Sequence, residues 1–175
     1  ALELAHVEAG EKVGIWGAGP AGLLLSRAAA AMDAEPTVIE PLESRRIFAG
    51  GLCCVPDIAF DVAVVAIGSG EAYAQALRHL APRGRLVVFS GLSPGEHMRH
   101  VDFNQLHYNE QTVIGAYGCA YRHGEQALNW IGTQRVPVDD LISHRLPLAE
   151  LGRALDLVRN REGIKILLYP GESNA

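Results

Sequence analysis

Apolar and polar positions along the chain fall into short runs with two different periods. Residues 12–16, 36–40, 60–67, 85–89, 112–117 and 165–169 are apolar runs of strand length, and 52–55 is a shorter strand-like run. The run FDVAVVAI at 60–67 is nearly continuous, the pattern of a strand covered on both faces. Between these runs the period shifts to that of a helix at 20–31, 43–48, 71–80, 124–132 and 148–160, and residues 1–7 also read as helical. Pro82-Arg83-Gly84 reads as a turn. Strands alternating with helices require right-handed crossovers and a mostly parallel sheet with helices on both faces, a doubly wound α/β fold. One connection is short. Between Arg46 and Phe60 there is scarcely room for a strand and a crossover helix, which together need about a dozen residues or more. The sheet edge at 52–55 is therefore expected to be trimmed or irregular.

Composition narrows the class without naming a function. The chain has 175 residues, 49% of them hydrophobic, with a formal net charge of −5 and no Lys/Arg block. That length suits one domain or one with an appendage, and the charge makes nucleic acid and anionic membranes poor partners. No apolar run is long enough to span a bilayer, and the first residues lack the basic start and apolar core of a signal peptide. Three cysteines, two of them the adjacent Cys53 and Cys54, do not make a disulfide framework, and a reducing cytoplasm fits best. Cys53 and Cys54 are expected to be buried small apolar residues, since no base stands beside them.

The candidate chemistry lies in VGIWGAGPAGLLL. Gly17-Ala18-Gly19-Pro20-Ala21-Gly22 is a G-x-G-x-x-G sequence that leaves a strand and opens a helix. In that setting Gly17 allows the tight turn, Gly19 admits a pyrophosphate to the backbone, and Gly22 lets the helix lie close on the sheet. The helix N-terminus offers free N–H groups to phosphates, and Pro20 suits its first turn. Glu40 ends the second strand about 20 residues on, where an acidic side chain meets the adenosine ribose of a Rossmann-type site. A carboxylate there accepts both ribose hydroxyls and repels a 2′-phosphate, which favours NAD over NADP. Arg45 and Arg46 follow closely and are within reach of a phosphate, or of stacking on adenine.

With GEKVGIWGAGPAGLL, VIEPLESRR, FDVAVVAIGS, LAPRGRLVVFSGL, HYNEQTVIGAYG and HRLPLAELGRALDLVRNREGIKILL in this order, the chain resembles the cofactor-binding part of the medium-chain dehydrogenase/reductase family. This is the group of zinc alcohol, sorbitol and threonine dehydrogenases. The resemblance covers nearly the whole chain. It implies a Rossmann core at 1–118 and a return segment at 119–175 that packs on a catalytic domain absent from this sequence. It implies that Ile67 and Gly68 lie near the adenosine, and Ser90, Gly91 and Leu92 near the nicotinamide. Ala116, Tyr117 and Gly118 border the nicotinamide, and Lys165 matches a basic position that in some members reaches the pyrophosphate. Tyr117, Tyr121 and Arg122 are candidates to face a substrate.

In the family, zinc, the substrate pocket and the proton relay belong to the catalytic domain. No zinc motif or cysteine quartet is present here, and His97, His100, His107, His123 and His144 read as surface or packing residues. No catalytic or metal-ligating residue is therefore expected in this chain. The implied function is NAD(H) binding for an alcohol or polyol dehydrogenase, with little or no turnover by this chain alone. A stand-alone dinucleotide module or sensor, and a degenerate Rossmann domain kept for protein interaction, are the alternatives. Leu141, Ile142, Leu146, Ile166 and Leu168 would be partly uncovered unless they fold back or meet another chain. Family members also pair through a sheet edge, placed here near Val101 and Tyr108, so a homodimer is expected there. A catalytic domain in the same or another chain is the other expected partner.

Overall fold

Lys12–Trp16 forms strand β1, and helix α1, Pro20–Ala31, returns the chain to β2, Glu35–Ile39. A short helix α2, Glu43–Ala49, leads to β3, Phe60–Val65, on the other side of β1. Helix α3, Gly70–Arg78, then β4, Leu80–Val88, helix α4, Phe103–Tyr108, and β5, Thr112–Gly115, complete the sheet. Its order is β2-β1-β3-β4-β5, and each neighbouring pair is parallel. This is the Rossmann-like doubly wound fold. The computed structural model describes residues 1–95, 97 and 101–171. These residues divide into two units, the first Ala1–Val136 and the second beginning at Pro137.

Direction along the sheet reverses at β1, so the right-handed rule sends α1 and α3 to opposite faces. Alternate side chains then serve two cores. Ile15 meets α1, where its Cγ2 would lie 3.6 Å from a Cβ built on Gly22. On the other face Trp16, Phe60, Ala63 and Val65 pack with Tyr73, Ala76 and Leu77 of α3. Trp16 stands edge-on to Phe60 with ring centroids 5.6 Å apart. The two rings fill the space of a side chain at Gly14, whose Cβ would come within 2.7 Å of Trp16 and 2.9 Å of Phe60. Burial on both faces is why β3 is apolar along its length.

Three expectations change here, and the trimmed edge expected at 52–55 is found. Residues 1–7 form turns, with Ala5 N–H bonded to the Ala1 carbonyl and His6 in the left-handed region at φ 47°. Positive φ at a non-glycine ends a helix before it can propagate. The Pro82-Arg83-Gly84 turn lies inside β4: the register passes from Phe60↔Leu80 to Val62↔Arg85, so the extra residues bulge with Arg83 at φ 62°. Residues 52–55 contribute a single bridge, Ile39↔Leu52, where Leu52 N–H bonds to the Val38 carbonyl and Glu40 N–H to the Leu52 carbonyl. The expected sheet edge near Val101 and Tyr108 is instead helix α4, capped by Asp102, whose Oδ1 accepts the N–H groups of Asn104 and Gln105. A carboxylate positioned for capping favours helix over strand. The edges of the sheet are β2 and β5.

Helix α5, Tyr121–Gly132, belongs to the first unit. In the second unit, strand β6, Ile142–Pro147, pairs parallel with β7, Lys165–Tyr169, and helix α6, Leu151–Arg159, connects them. Leu141 and Leu146 are buried, while Ile142, Ile166 and Leu168 are half-buried.

Candidate functional site

Parallel strands put all their carboxyl ends on one side, and ligands of such sheets sit where strand direction reverses. Here that crevice opens beyond β1 and β3. Gly17 leaves β1 at φ +106°, a conformation that L side chains rarely adopt. Its N–H bonds to the Ile39 carbonyl at 2.9 Å, and the Ala66 N–H bonds to the Trp16 carbonyl at 2.9 Å, which ties the turn to β2 and to the end of β3. A Cβ on Gly22 would stand 1.9 Å from the Gly17 carbonyl oxygen, so only glycine lets α1 approach the turn. Gly19 is the extended N-cap of α1 and carries no side-chain cap, with Pro20 at the first helical turn. A Cβ on Gly19 would meet nothing nearer than Arg45 Nη1 at 3.8 Å. The first N–H groups of any helix lack intrahelical partners, so this end of α1, Ala21 included, is a donor surface.

Two charged side chains flank the glycine turn. Glu40 is only 2% exposed. Its Oε2 accepts the Ala18 N–H at 2.9 Å and its Oε1 accepts the Leu42 N–H at 2.9 Å. The carboxylate thus braces the turn against the entry to α2. Arg46 donates to the carbonyls of Glu40 at 3.2 Å and Pro41 at 2.8 Å. Arg45 differs: its Nε is buried with no hydrogen-bond partner, and its guanidinium lies over Gly19.

Next to this turn is an open cleft of about 470 Å³. Trp16, Gly17, Glu40 and Ile67 line it, together with Cys53, Cys54 and Val55 from the shortened edge, Glu71, Gln75 and Arg78 from α3, and His79 at its C-terminal cap. The indole N–H of Trp16 is buried without a partner. The ends of β3 and β4 are packed together: a Cβ on Gly68 would meet the Gly91 carbonyl at 2.7 Å and Ser93 Oγ at 2.8 Å. Ser90 N–H bonds to the Val65 carbonyl at 3.1 Å, and the Tyr73 hydroxyl donates to the Ser90 carbonyl. Burial raises the Tyr73 phenol above its usual range, so it remains a donor.

Of the residues singled out from sequence, Gly17, Gly19, Pro20, Ala21, Gly22, Glu40, Arg45, Ile67 and Gly68 converge on the crevice beyond β1, β2 and β3. Ser90, Gly91 and Leu92 follow β4, and Ala116 and Tyr117 follow β5, where Ala116 N–H bonds to the Val88 carbonyl at 3.0 Å. Tyr117 and Tyr121 are exposed. Lys165 opens β7 in the second unit. His107 lies on α4 with its ring against Tyr108, and His123 binds Glu3. His144 Nδ1 lies 3.0 Å from Ser143 Oγ, and His97 is exposed; His100 lies outside the described residues. Among the described residues no three His, Cys, Asp or Glu side chains group as a metal site. Sequence reasoning missed the wall formed by Cys53, Cys54 and α3. Both cysteines are exposed, not buried, because the trimmed edge provides no element to cover them. The short spacing from Arg46 to Phe60 was the available signal.

A family model described as zinc-binding dehydrogenase matches residues 56–133. A sorbitol dehydrogenase of Bombyx mori is 26% identical over 97% of this chain and 54% of its own length. A 2-dehydro-3-deoxy-L-galactonate 5-dehydrogenase of Pseudoalteromonas atlantica is 30% identical over 93% of this chain and 52% of its own length. Among solved structures, an alcohol dehydrogenase of Thermus sp. ATN1 superposes with a TM-score of 0.85 at 22% identity, covering 97% of this chain and 54% of that one. A Sinorhizobium meliloti protein described as a zinc-binding dehydrogenase, solved bound to NADP, gives 0.84 at 22% identity, covering 97% and 55%. The chain spans about half the length of the curated relatives it matches.

Proposed function

The chain belongs to the medium-chain dehydrogenase/reductase family as a cofactor-binding domain, and we propose that it holds NAD(H) in this cleft for an alcohol or polyol dehydrogenase. The observation that carries the proposal is the glycine turn. It sits at the reversal point of the sheet, with room for a Cβ at Gly19 and, beside it, a buried Arg45 Nε that has no partner among the described residues. An unpaired buried donor is costly, and a pyrophosphate oxygen there would relieve that cost while the N-terminus of α1 supplies further donors. The donor set therefore fits a dinucleotide.

When bound, the nicotinamide supplies the hydride acceptor or donor. The chain's own residues orient it. Gly17 and Gly22 fix the turn, Gly19 admits the phosphates, and Arg45 binds them. Glu40 braces the turn and presents its carboxylate to the ribose, which favours NAD over NADP. Ile67 and Gly68 lie along the adenosine. Ser90, Gly91, Leu92, Ala116 and Tyr117 would border the nicotinamide. Substrate, zinc and proton relay belong to a catalytic part outside this sequence, so the chain by itself turns over little or nothing. A cytoplasmic setting accords with three unpaired cysteines.

Trp16 lines the cleft and makes binding visible. Energy transfer from Trp16 to NADH is expected to saturate, to be weaker with NADPH, and to vanish in Gly19→Val. Absence of transfer with either cofactor would sink the proposal and leave a fold kept for its interactions.

A further inference from the structure

Cys53 and Cys54 are exposed neighbours whose sulfurs lie 3.7 Å apart in an S–H···S contact. Both line the cleft, in company with Gly17, Glu40 and Ile67. The pair follows directly on Leu52, whose backbone is bonded on both sides to the end of β2. It is therefore anchored at the shortened sheet edge, beside the carboxylate that braces the glycine turn. Nothing in the proposed cofactor role uses these thiols.

We propose that Cys53 and Cys54 form a two-point binding site for a soft, thiophilic centre, a trivalent arsenic bearing one organic group, and that ligation there closes the cleft to a dinucleotide. The closure rests on the dinucleotide function proposed above; the thiol site does not. A disulfide is the poorer product. Adjacent Cα atoms are about 3.8 Å apart across a trans peptide, below the usual disulfide span of about 4.4–6.8 Å. Bringing sulfurs from 3.7 Å to about 2.05 Å would move the backbone. A third atom between them bonds both sulfurs where they stand.

The step needs no oxidant. The arsenic centre exchanges two hydroxyl groups for two sulfurs: two As–O and two S–H bonds break, two As–S bonds form, and each thiol proton leaves with a hydroxide as water. The hydrogen bond with Cys53, and the charge Cys53 would carry, hold the Cys54 thiol above its ordinary value. The Cys54 thiol is thus neutral at pH 7. Cys119, also exposed, offers a single point of attachment and serves as an internal control.

The test treats the 175-residue chain with phenylarsine oxide and follows intact mass and Trp16-to-NADH transfer. The chain and its Cys119→Ser variant should each take up one phenylarsenic group, removable by a small dithiol. Cys53→Ser and Cys54→Ser should bind about a hundredfold more weakly, because the second attachment is intramolecular only when both thiols are present. Loaded chain should lose NADH transfer, and NADH bound beforehand should slow loading. No adduct on the unsubstituted chain, or single variants that both load as tightly as the unsubstituted chain, overturns the thiol site. Full loading with NADH transfer unchanged overturns the closure. An unloaded chain that fails to bind NADH overturns the cofactor function instead, and the mass readout then decides the thiol site by itself.

Discussion

A Cβ at position 22 would stand 1.9 Å from the Gly17 carbonyl oxygen, whereas one at position 19 has 3.8 Å of clearance. Substitution at the two glycines should therefore fail in different ways. Gly22→Ala must push α1 off the turn, and we expect a loss of about 1–3 kcal/mol in urea denaturation. Gly19→Val should keep its stability within about 0.5 kcal/mol while losing NADH transfer. The glycines were legible from sequence because their spacing encodes backbone requirements directly. The position of Glu40 was legible too, but its partners were not. They are the N–H groups of Ala18 and Leu42, which every residue but proline carries, so no side-chain pattern announces them. The exposure of Cys53 and Cys54 was hidden for a related reason: their residue type favours burial, and only the missing cover at the edge reverses it.

Elements with many neighbours were read well, and those decided by one or two local bonds were not. Helix α1 and strand β7 have the bounds their periodicity predicts. Helix α4 is six residues long and rests on the Asp102 cap, a signal outweighed by the expectation of a sheet edge. The N-terminal turns are held from outside by Arg85, which donates to the His6 carbonyl at 3.2 Å, and by a cluster around Glu3. Glu3 binds Arg122 and His123 of α5, and His123 Nδ1 accepts the Ala120 N–H at 3.0 Å, which leaves the proton on Nε2 to face Glu3. The hydrogen bond from Arg122, then that from His123, holds the Glu3 carboxyl below its ordinary 4.5. A lowered carboxylate contributes fully above its unfolded value and loses that contribution as pH falls through the folded one. Hydrogen exchange at residues 2–7 should therefore accelerate below pH 4.5 in the unsubstituted chain. In Glu3→Gln it should already be fast at neutral pH. Exchange that ignores both changes would show that the cluster does not hold the segment.

At the scale of the whole molecule, the doubly wound architecture was legible because alternating periods leave few topologies, while the bulge in β4 and the single bridge at Leu52 depend on contacts far apart in sequence. The open edge at β5 and the exposed Phe103 and Tyr108 on α4 support a homodimer across that side. Sedimentation equilibrium should give a dimer for the chain and a monomer for Phe103→Ser with Tyr108→Ser; a monomer at the outset would remove pairing from the picture. The strand order also sets a timetable for folding. The glycine turn lies within β1, α1 and β2, neighbours in sequence, so it can assemble from local contacts. The join of β1 to β3 must first close the whole excursion through α2, and such closure is slow because its entropy is lost before its contacts form. Trp16 and Phe60 meet across that join. During refolding, helical circular dichroism should therefore run ahead of Trp16 fluorescence: the turn that receives phosphate takes shape before the sheet that aims it is closed.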